Sequence, residues 1–231
     1  FFFVFFWGFL FLFFLVGRGG VFLKTNIPGA AAPRDYEAWL GLDNGAIQTI
    51  HNGFRAPEID APGERQRLRR AFGWAEDARV VGGILRFSEE KRPDFLLDMA
   101  LAAQARDPKL RFAFFGDGPM REALLARIAA MGLGEAIRLP GRTEQPWRDL
   151  AAFDLFALAS RMEGLPNVLV EAQLMGVPVI CTGVGGMSET FRAGETGLVA
   201  PGDDPQAFAA FLANFDIGLA LEARKQRECK G

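Results

Sequence analysis

The chain has 231 residues, half of them apolar, and a formal net charge of −2 at pH 7. That length fits one large domain or two small ones with a sizeable core, and the near-neutral charge gives no case for nucleic-acid binding or for electrostatic attachment to a membrane. Cys181 and Cys229 are too few for a disulfide framework, which points to a reducing compartment, and a single histidine, His51, rules out a multi-histidine metal site.

The chain opens on an apolar run, FFFVFFWGFLFLFFLV, with nine phenylalanines in residues 1–16. Arg18 and the glycines around it interrupt the run before Val21-Phe22-Leu23. A spanning helix needs roughly 17–25 apolar residues, so this run is borderline. No basic stretch precedes it, as a signal peptide would require, and the first residue is not Met. Three readings stand side by side: a membrane anchor, a hydrophobic strand or helix remaining from a larger domain, or an artefact of a truncated or frame-shifted gene. His51 follows at a strand end before the turn signal Asn52-Gly53, a structural or linker position.

From there, apolar runs of strand length alternate with longer helical patterns. The strands are predicted at 46–51, 79–85, 110–115, 136–139, 153–158, 178–182 and 197–200. The helices are predicted near 93–106, 119–131, 145–151, 167–175, 187–193 and 205–213. Helix 93–106 shows the pattern, with Phe95, Leu96, Met99, Ala100 and Ala103 on one stripe, Pro93 in the first turn and Asp107-Pro108 at the stop. Alternation of this kind, with nearly continuous apolar strands, predicts an α/β fold: a doubly wound, Rossmann-like parallel sheet covered on both faces. Ligands of such sheets bind beyond the carboxyl ends of the strands. Cys181 ends one of the apolar strands and is read as core.

The richest stretch is SRMEGLPNVLVEAQLMG, residues 160–176. Glu163 stands in a loop and Glu171 eight positions on, inside a helix. Pro166 suits the first turn of that helix, Gly164 lets a ligand approach the backbone, and the free N–H groups near Leu165, Pro166 and Asn167 form an anion site, Pro166 itself having none to give. Carboxylates on either side of an anion site suit a ligand with both phosphates and hydroxyls, such as a nucleotide sugar. An ordinary capping or solvated helix glutamate is the plainer reading of Glu171. Arg86 and Lys91, five apart across a strand end and a short loop, are placed to clamp a diphosphate, or else are two solvated charges, with Glu89 and Glu90 between them facing solvent. Gly116-Asp117-Gly118-Pro119 is a turn and helix entry and not a dinucleotide fingerprint, because the third glycine is replaced by Arg121. A G-x-x-x-x-G-K-[ST] loop is absent, which argues against ATPase chemistry.

The blocks IHNGF (50–54), LRFSEEKRP (85–93), FFGDGPMRE (114–122), IRLPGR (137–142), EGLPNVLVE (163–171), GVPVICTGVGGMSE (176–189) and GETGLVAPGD (194–203) occur in that order. Together, from about Ala46 to about Phe211, they resemble the retaining glycosyltransferases of family 4, which have the GT-B fold. The resemblance implies that the chain is the C-terminal, donor-binding half of such a fold with an incomplete N-terminal domain. It divides the sequence into an apolar segment (1–23), a remnant and linker (24–54), a nucleotide-sugar-binding Rossmann-like domain (55–215) and a charged tail (216–231).

The resemblance further implies transfer of a sugar from a nucleotide diphosphate sugar to an acceptor hydroxyl with retention, through a front-face, oxocarbenium-like route. The product would belong to polysaccharide or glycolipid synthesis. Arg86 and Lys91 would neutralise the leaving diphosphate, Glu163 would contact the donor sugar, and Glu171 would accept from the ribose hydroxyls. Arg142 would stack on or bond to the base, or else lie at the surface. Gly185-Gly186 and Glu189 would shape the cleft. No cofactor and no metal are implied, in keeping with the absence of a D-x-D triplet. The partners would be the donor and a carbohydrate or lipid-linked acceptor, with no nucleic acid, in a cytoplasmic protein in possible peripheral contact with a membrane. A nucleotide-sugar-binding module without transferase activity is the alternative. Leu85 departs from the family's small residue before the arginine, and either crowds the phosphates or points into the core.

Overall fold

Helix α1 (Ala61–Phe72) is set by punctuation more than by an apolar stripe. Asp60 caps it by accepting from the Gly63 N–H at 3.2 Å, Pro62 sits in its first turn, and Gly73 closes it in the left-handed region at φ 69°. Its arginine-rich sequence gives little apolar periodicity, and no helix is predicted there from the sequence. The computed structural model describes residues 2–7, 10–17, 20–24, 37–38, 41, 43, 47–49, 53–200 and 202–214.

After α1 come β5 (Arg79–Ile84), α2 (Pro93–Arg106), β6 (Leu110–Phe115), α3 (Arg121–Ala130), β7 (Ile137–Gly141), α4 (Pro146–Ala152), β8 (Leu155–Leu158), α5 (Asn167–Leu174), β9 (Val179–Cys181), β10 (Gly197–Val199) and α6 (Pro205–Asn214). Upstream, β1 (Phe2–Trp7), β2 (Leu10–Gly17) and β3 (Gly20–Lys24) form an antiparallel meander, and β4 (Ile47–Thr49) pairs with β3 in parallel. The phenylalanine-rich run is therefore strand, and no helix among the described residues is long and apolar enough to cross a membrane. His51, Cys229 and the charged tail lie outside the described residues.

Six strands form one parallel sheet in the order β7-β6-β5-β8-β9-β10. The chain runs outward from β5 to β7, then returns to the other side of β5 and runs outward again. The order reverses between β5 and β8, and this switch point is where the crossovers on the two faces diverge and leave a crevice at the carboxyl ends. The sheet is buried on both faces, with Phe87, Phe112, Phe153, Phe156 and Phe208 among its fully enclosed side chains. Under its amino end, Asp154 accepts from the Val80 N–H at 2.7 Å and from Arg69 at 2.6 Å, while Arg69 also donates to the Ala78 carbonyl. This buried pair ties α1 to the sheet.

Two predicted elements need correction. The helix expected at 187–193 is a short 3-10 turn, Met187–Thr190, followed by extended backbone at Phe191. Side chains take the carbonyls that a longer helix would use: Thr190 Oγ1 donates to the Met187 carbonyl and Gln173 Nε2 to the Thr190 carbonyl, both at 2.6 Å. Pro166 precedes α5 as its N-cap, one position before the first turn.

Candidate active site

The residues singled out at 86–91 and 160–171 leave β5 and β8 at the switch point. Leu85 is buried in the core, so of its two readings the packing one holds, and it crowds nothing outside the sheet. Arg86, the next residue, is exposed. Its segment is held from one side by the loop after β6. The Leu85 N–H donates to the Phe115 carbonyl, the Phe87 N–H to the Asp117 carbonyl, and the Met120 N–H to the Phe87 carbonyl, at 2.9–3.0 Å. The backbones come so close that a Cβ on Gly116 would lie 1.8 Å from the Leu85 carbonyl oxygen, and one on Gly118 would lie 2.4 Å from that of Phe87. Glycine is required at both places. The turn at Gly116–Pro119 thus also clamps the backbone segment that bears Arg86.

A 3-10 turn, Glu89–Lys91, carries the lysine. It ends at Arg92, the one non-glycine among the described residues with positive φ (50°). The Arg92 guanidinium lies 4.2 Å from the centre of the Phe95 ring and pairs with Asp203 in the loop before α6. Such contacts hold a backbone conformation that costs an L residue about 1–2 kcal/mol. Glu90 is not simply solvent-facing. It accepts from Ser88 Oγ at 2.7 Å, and that bond, its own backbone N–H and the nearby charges of Arg86 and Lys91 hold its carboxyl below the usual range.

Lys91 and Glu163 meet directly, Nζ to Oε1 at 2.6 Å, with side chains 28% and 10% exposed. The Ser160 hydroxyl donates to the same Oε1, also at 2.6 Å. The Arg161 N–H donates to the Glu90 carbonyl at 2.8 Å, tying the two segments through backbone as well. Behind Glu163, the Gly186 N–H donates to the Gly164 carbonyl at 3.0 Å, and a Cβ on Gly185 would lie 2.0 Å from the Glu163 carbonyl oxygen. This close approach packs the Gly185-Gly186 turn against the segment that bears Glu163.

Glu171 stands one turn into α5, partly buried. Burial pushes its carboxyl pKa up, and no described protein group offsets that effect. Asn167 opens the helix, with Gly164 and Leu165 in the loop before it, and the Leu169 N–H donates to the Pro166 carbonyl at 3.0 Å. Arg142 follows the edge strand β7. It is 82% exposed and 3.6 Å from Asp117. Cys181 is fully buried in β9, and burial raises its thiol to about 11, as a core residue requires. Ser160 carries a partnered role that motif spacing does not disclose, although it opens the richest stretch of the sequence.

This arrangement of strands and side chains has counterparts. The family described as "Glycosyl transferases group 1" matches residues 78–215, which is most of the six-stranded domain. The chain belongs to this family. Among relatives of this group 1 glycosyltransferase chain, the Vi polysaccharide biosynthesis protein VipC/TviE of Salmonella typhi is 36% identical over 176 residues, covering 75% of the chain and 30% of that protein. A D-inositol 3-phosphate glycosyltransferase of Thermobispora bispora is 34% identical over 168 residues, covering 67% and 39%. The chain therefore spans about a third of the length of these relatives. Anabaena HepE, solved with UDP and glucose, superposes with TM-score 0.70 at 26% identity, over 86% of the chain and 57% of HepE. S. aureus TarM, at 23% identity, shares the fold with TM-score 0.69, over 91% of the chain and 40% of TarM. The Rossmann-like α/β unit of this chain matches those of GT-B glycosyltransferases.

Proposed function

We propose that the chain forms the donor-binding part of a retaining glycosyltransferase. The enzyme moves a sugar from a nucleotide diphosphate sugar to an acceptor hydroxyl in polysaccharide or glycoconjugate synthesis. The observation that carries this reading is the contact of Lys91 with Glu163 at the switch point, on segments that also bear Arg86 and, one turn into the following helix, Glu171, whose carboxylate has no hydrogen-bond partner among the described residues. Cations aimed at the departing diphosphate stabilise charge that grows in the transition state, and such preorganised charge often contributes more to the rate than any other single effect. Glu163 takes the hydroxyls of the donor sugar. Glu171, desolvated without a donor of its own, takes the ribose hydroxyls. The N–H groups at the start of α5 face the phosphates. Charge neutralisation by Arg86 and Lys91 assigns no step to a metal. The acceptor is a carbohydrate or a lipid-linked one, reached in the cytoplasm or at a membrane face.

The experiment is a thermal-shift screen of the chain against UDP, GDP, ADP and their sugars, because a ligand that binds only the folded state raises the melting point by mass action. A shift with one nucleotide, lost in Glu171→Ala, supports the donor site and names the base. Cooperative melting with no shift from any of them refutes it. A shift without sugar transfer by the full-length protein favours the binding-module reading.

A further inference from the structure

We infer that Ser160 is a positioning residue that decides which oxygen of Glu163 meets the donor sugar. The inference rests on the donor-site reading and adds to it a residue to which motif spacing gives no role. Ser160 is the second residue beyond β8, at the switch point, and is fully buried. A buried hydroxyl must spend its single proton on a partner, and here that partner is Glu163 Oε1 at 2.6 Å. Lys91 Nζ donates to the same atom at 2.6 Å. Two donors thus converge on one carboxylate oxygen. The other, Oε2, accepts from no described residue and keeps its lone pairs for an incoming hydroxyl.

Without Ser160, the carboxylate would be held by Lys91 alone. Lysine is a point charge on a flexible stem and does not discriminate between the two oxygens. Lys91 is also the group that the donor's diphosphate would draw away from Glu163. During that exchange the serine hydroxyl is the contact that keeps the carboxylate from turning. The serine itself is braced, since Thr182 Oγ1, in the loop after β9, donates to the Ser160 carbonyl at 3.0 Å. It is a short, fixed donor on the sheet's own frame, whereas the lysine is carried on the 3-10 turn.

A purely structural serine would affect every ligand alike, whereas a serine acting through Glu163 affects only ligands that carry the sugar. The test compares UDP with UDP-glucose by calorimetry on the chain and, in the full-length protein, kcat against KM for sugar transfer. In Ser160→Ala, UDP affinity stays within twofold of the unsubstituted protein while UDP-glucose affinity and kcat fall roughly tenfold or more, the loss expected for a hydrogen bond to a charged group. Placed on Glu163→Ala, Ser160→Ala has no further effect on UDP-glucose, because the two act as a unit. Ser160→Cys, near in size and a far weaker donor, reads the same ratio should the alanine variant lose its fold. Equal weakening of UDP and UDP-glucose, or full additivity with Glu163→Ala, overturns the inference and leaves the donor site standing. Failure of the unsubstituted protein to bind UDP, GDP, ADP or any of their sugars removes the donor site, and the inference with it.

Discussion

Replacing Gly116 by alanine tests whether the loop after β6 aims the arginine of the site. The new methyl would stand 1.8 Å from the Leu85 carbonyl oxygen, where about 3.0 Å is the nearest approach a Cβ tolerates. The two backbones must then part by about 1.2 Å, the difference between those distances. The alanine must also take φ 148°, a region that costs about 1–3 kcal/mol for a residue with a Cβ. Parting the backbones stretches the hydrogen bonds from Leu85 to Phe115, Phe87 to Asp117 and Met120 to Phe87, now 2.9–3.0 Å long, each worth about 0.5–1.5 kcal/mol. Losing two of them brings the total to roughly 2–6 kcal/mol. For a domain of this size that lowers Tm by about 5–20 °C. Circular dichroism during heating and in urea reads the stability, and calorimetric titration with UDP in the cold reads the site. Nucleotide affinity should fall even where the variant is still folded, because the segment bearing Arg86 has moved. A variant that melts within about 2 °C of the parent and binds UDP unchanged would refute the clamp.

Glu171→Gln should separate stability from binding. Its folded pKa is raised above the unfolded value, so the carboxyl costs nothing at pH well below 4.5 and costs most once the pH has risen past the folded pKa. The glutamine variant should therefore melt with the parent near pH 4 and about 1–2 °C above it at pH 7, the modest size reflecting a partly exposed group, while losing nucleotide binding. Lower stability at pH 7 would contradict this sign. In the full-length protein, Lys91→Ala and Glu163→Ala should each remove most of the turnover, and near-normal kcat in both would cancel the site assignment. Arg92→Ala keeps the positive φ and loses the Phe95 and Asp203 contacts, whereas Arg92→Gly loses the contacts and relieves the backbone. Urea titration should find the alanine variant less stable by about 1 kcal/mol, and the reverse order would show that the backbone there is not strained. Cys181, with its thiol at about 11, should stay unlabelled by iodoacetamide at pH 8 in the native protein and react in guanidinium, as peptide mass mapping would show.

The sequence carried the central sheet well because its strands are buried on both faces. Leu110–Phe115 and the helix Pro93–Arg106 occur at their predicted bounds, one marked by a continuous apolar run and the other by proline at its start and Asp107-Pro108 at its end. Helix α1 escaped for the opposite reason. Between Asp60 and Gly73 the arginines leave few apolar positions, chiefly Ala61, Leu68 and Phe72, and the Arg69–Asp154 pair that ties the helix to the sheet is one that no periodicity reports. The site shows the same division. Glu163, Glu171, Arg86 and Lys91 could be named from motif spacing. That Lys91 and Glu163 touch across 72 positions, and that Ser160 shares the contact, depends on the strand order at the switch point. Loops with glycine at both ends announced turns, and nothing local announced that Gly116 and Gly185 mark close approaches to the segments bearing Arg86 and Glu163.

The reversal of strand order between β5 and β8 also governs when binding competence can appear during folding. Strands β5, β6 and β7 with α2 and α3 form a contiguous half that can assemble from near-neighbour crossovers, and it already carries Arg86 and Lys91. Glu163 and Glu171 arrive only when β8 docks on the far side of β5, pairing Leu155 with Val81 and Phe156 with Gly82. That closure joins residues more than seventy apart and bears the largest loop entropy in the six-stranded sheet, so it is expected late in folding. A ligand held by both halves then acts as a brace across the seam. It slows unfolding by opposing the parting of β5 from β8, and it leaves the earlier pairing of β5 with β6 and β7 untouched.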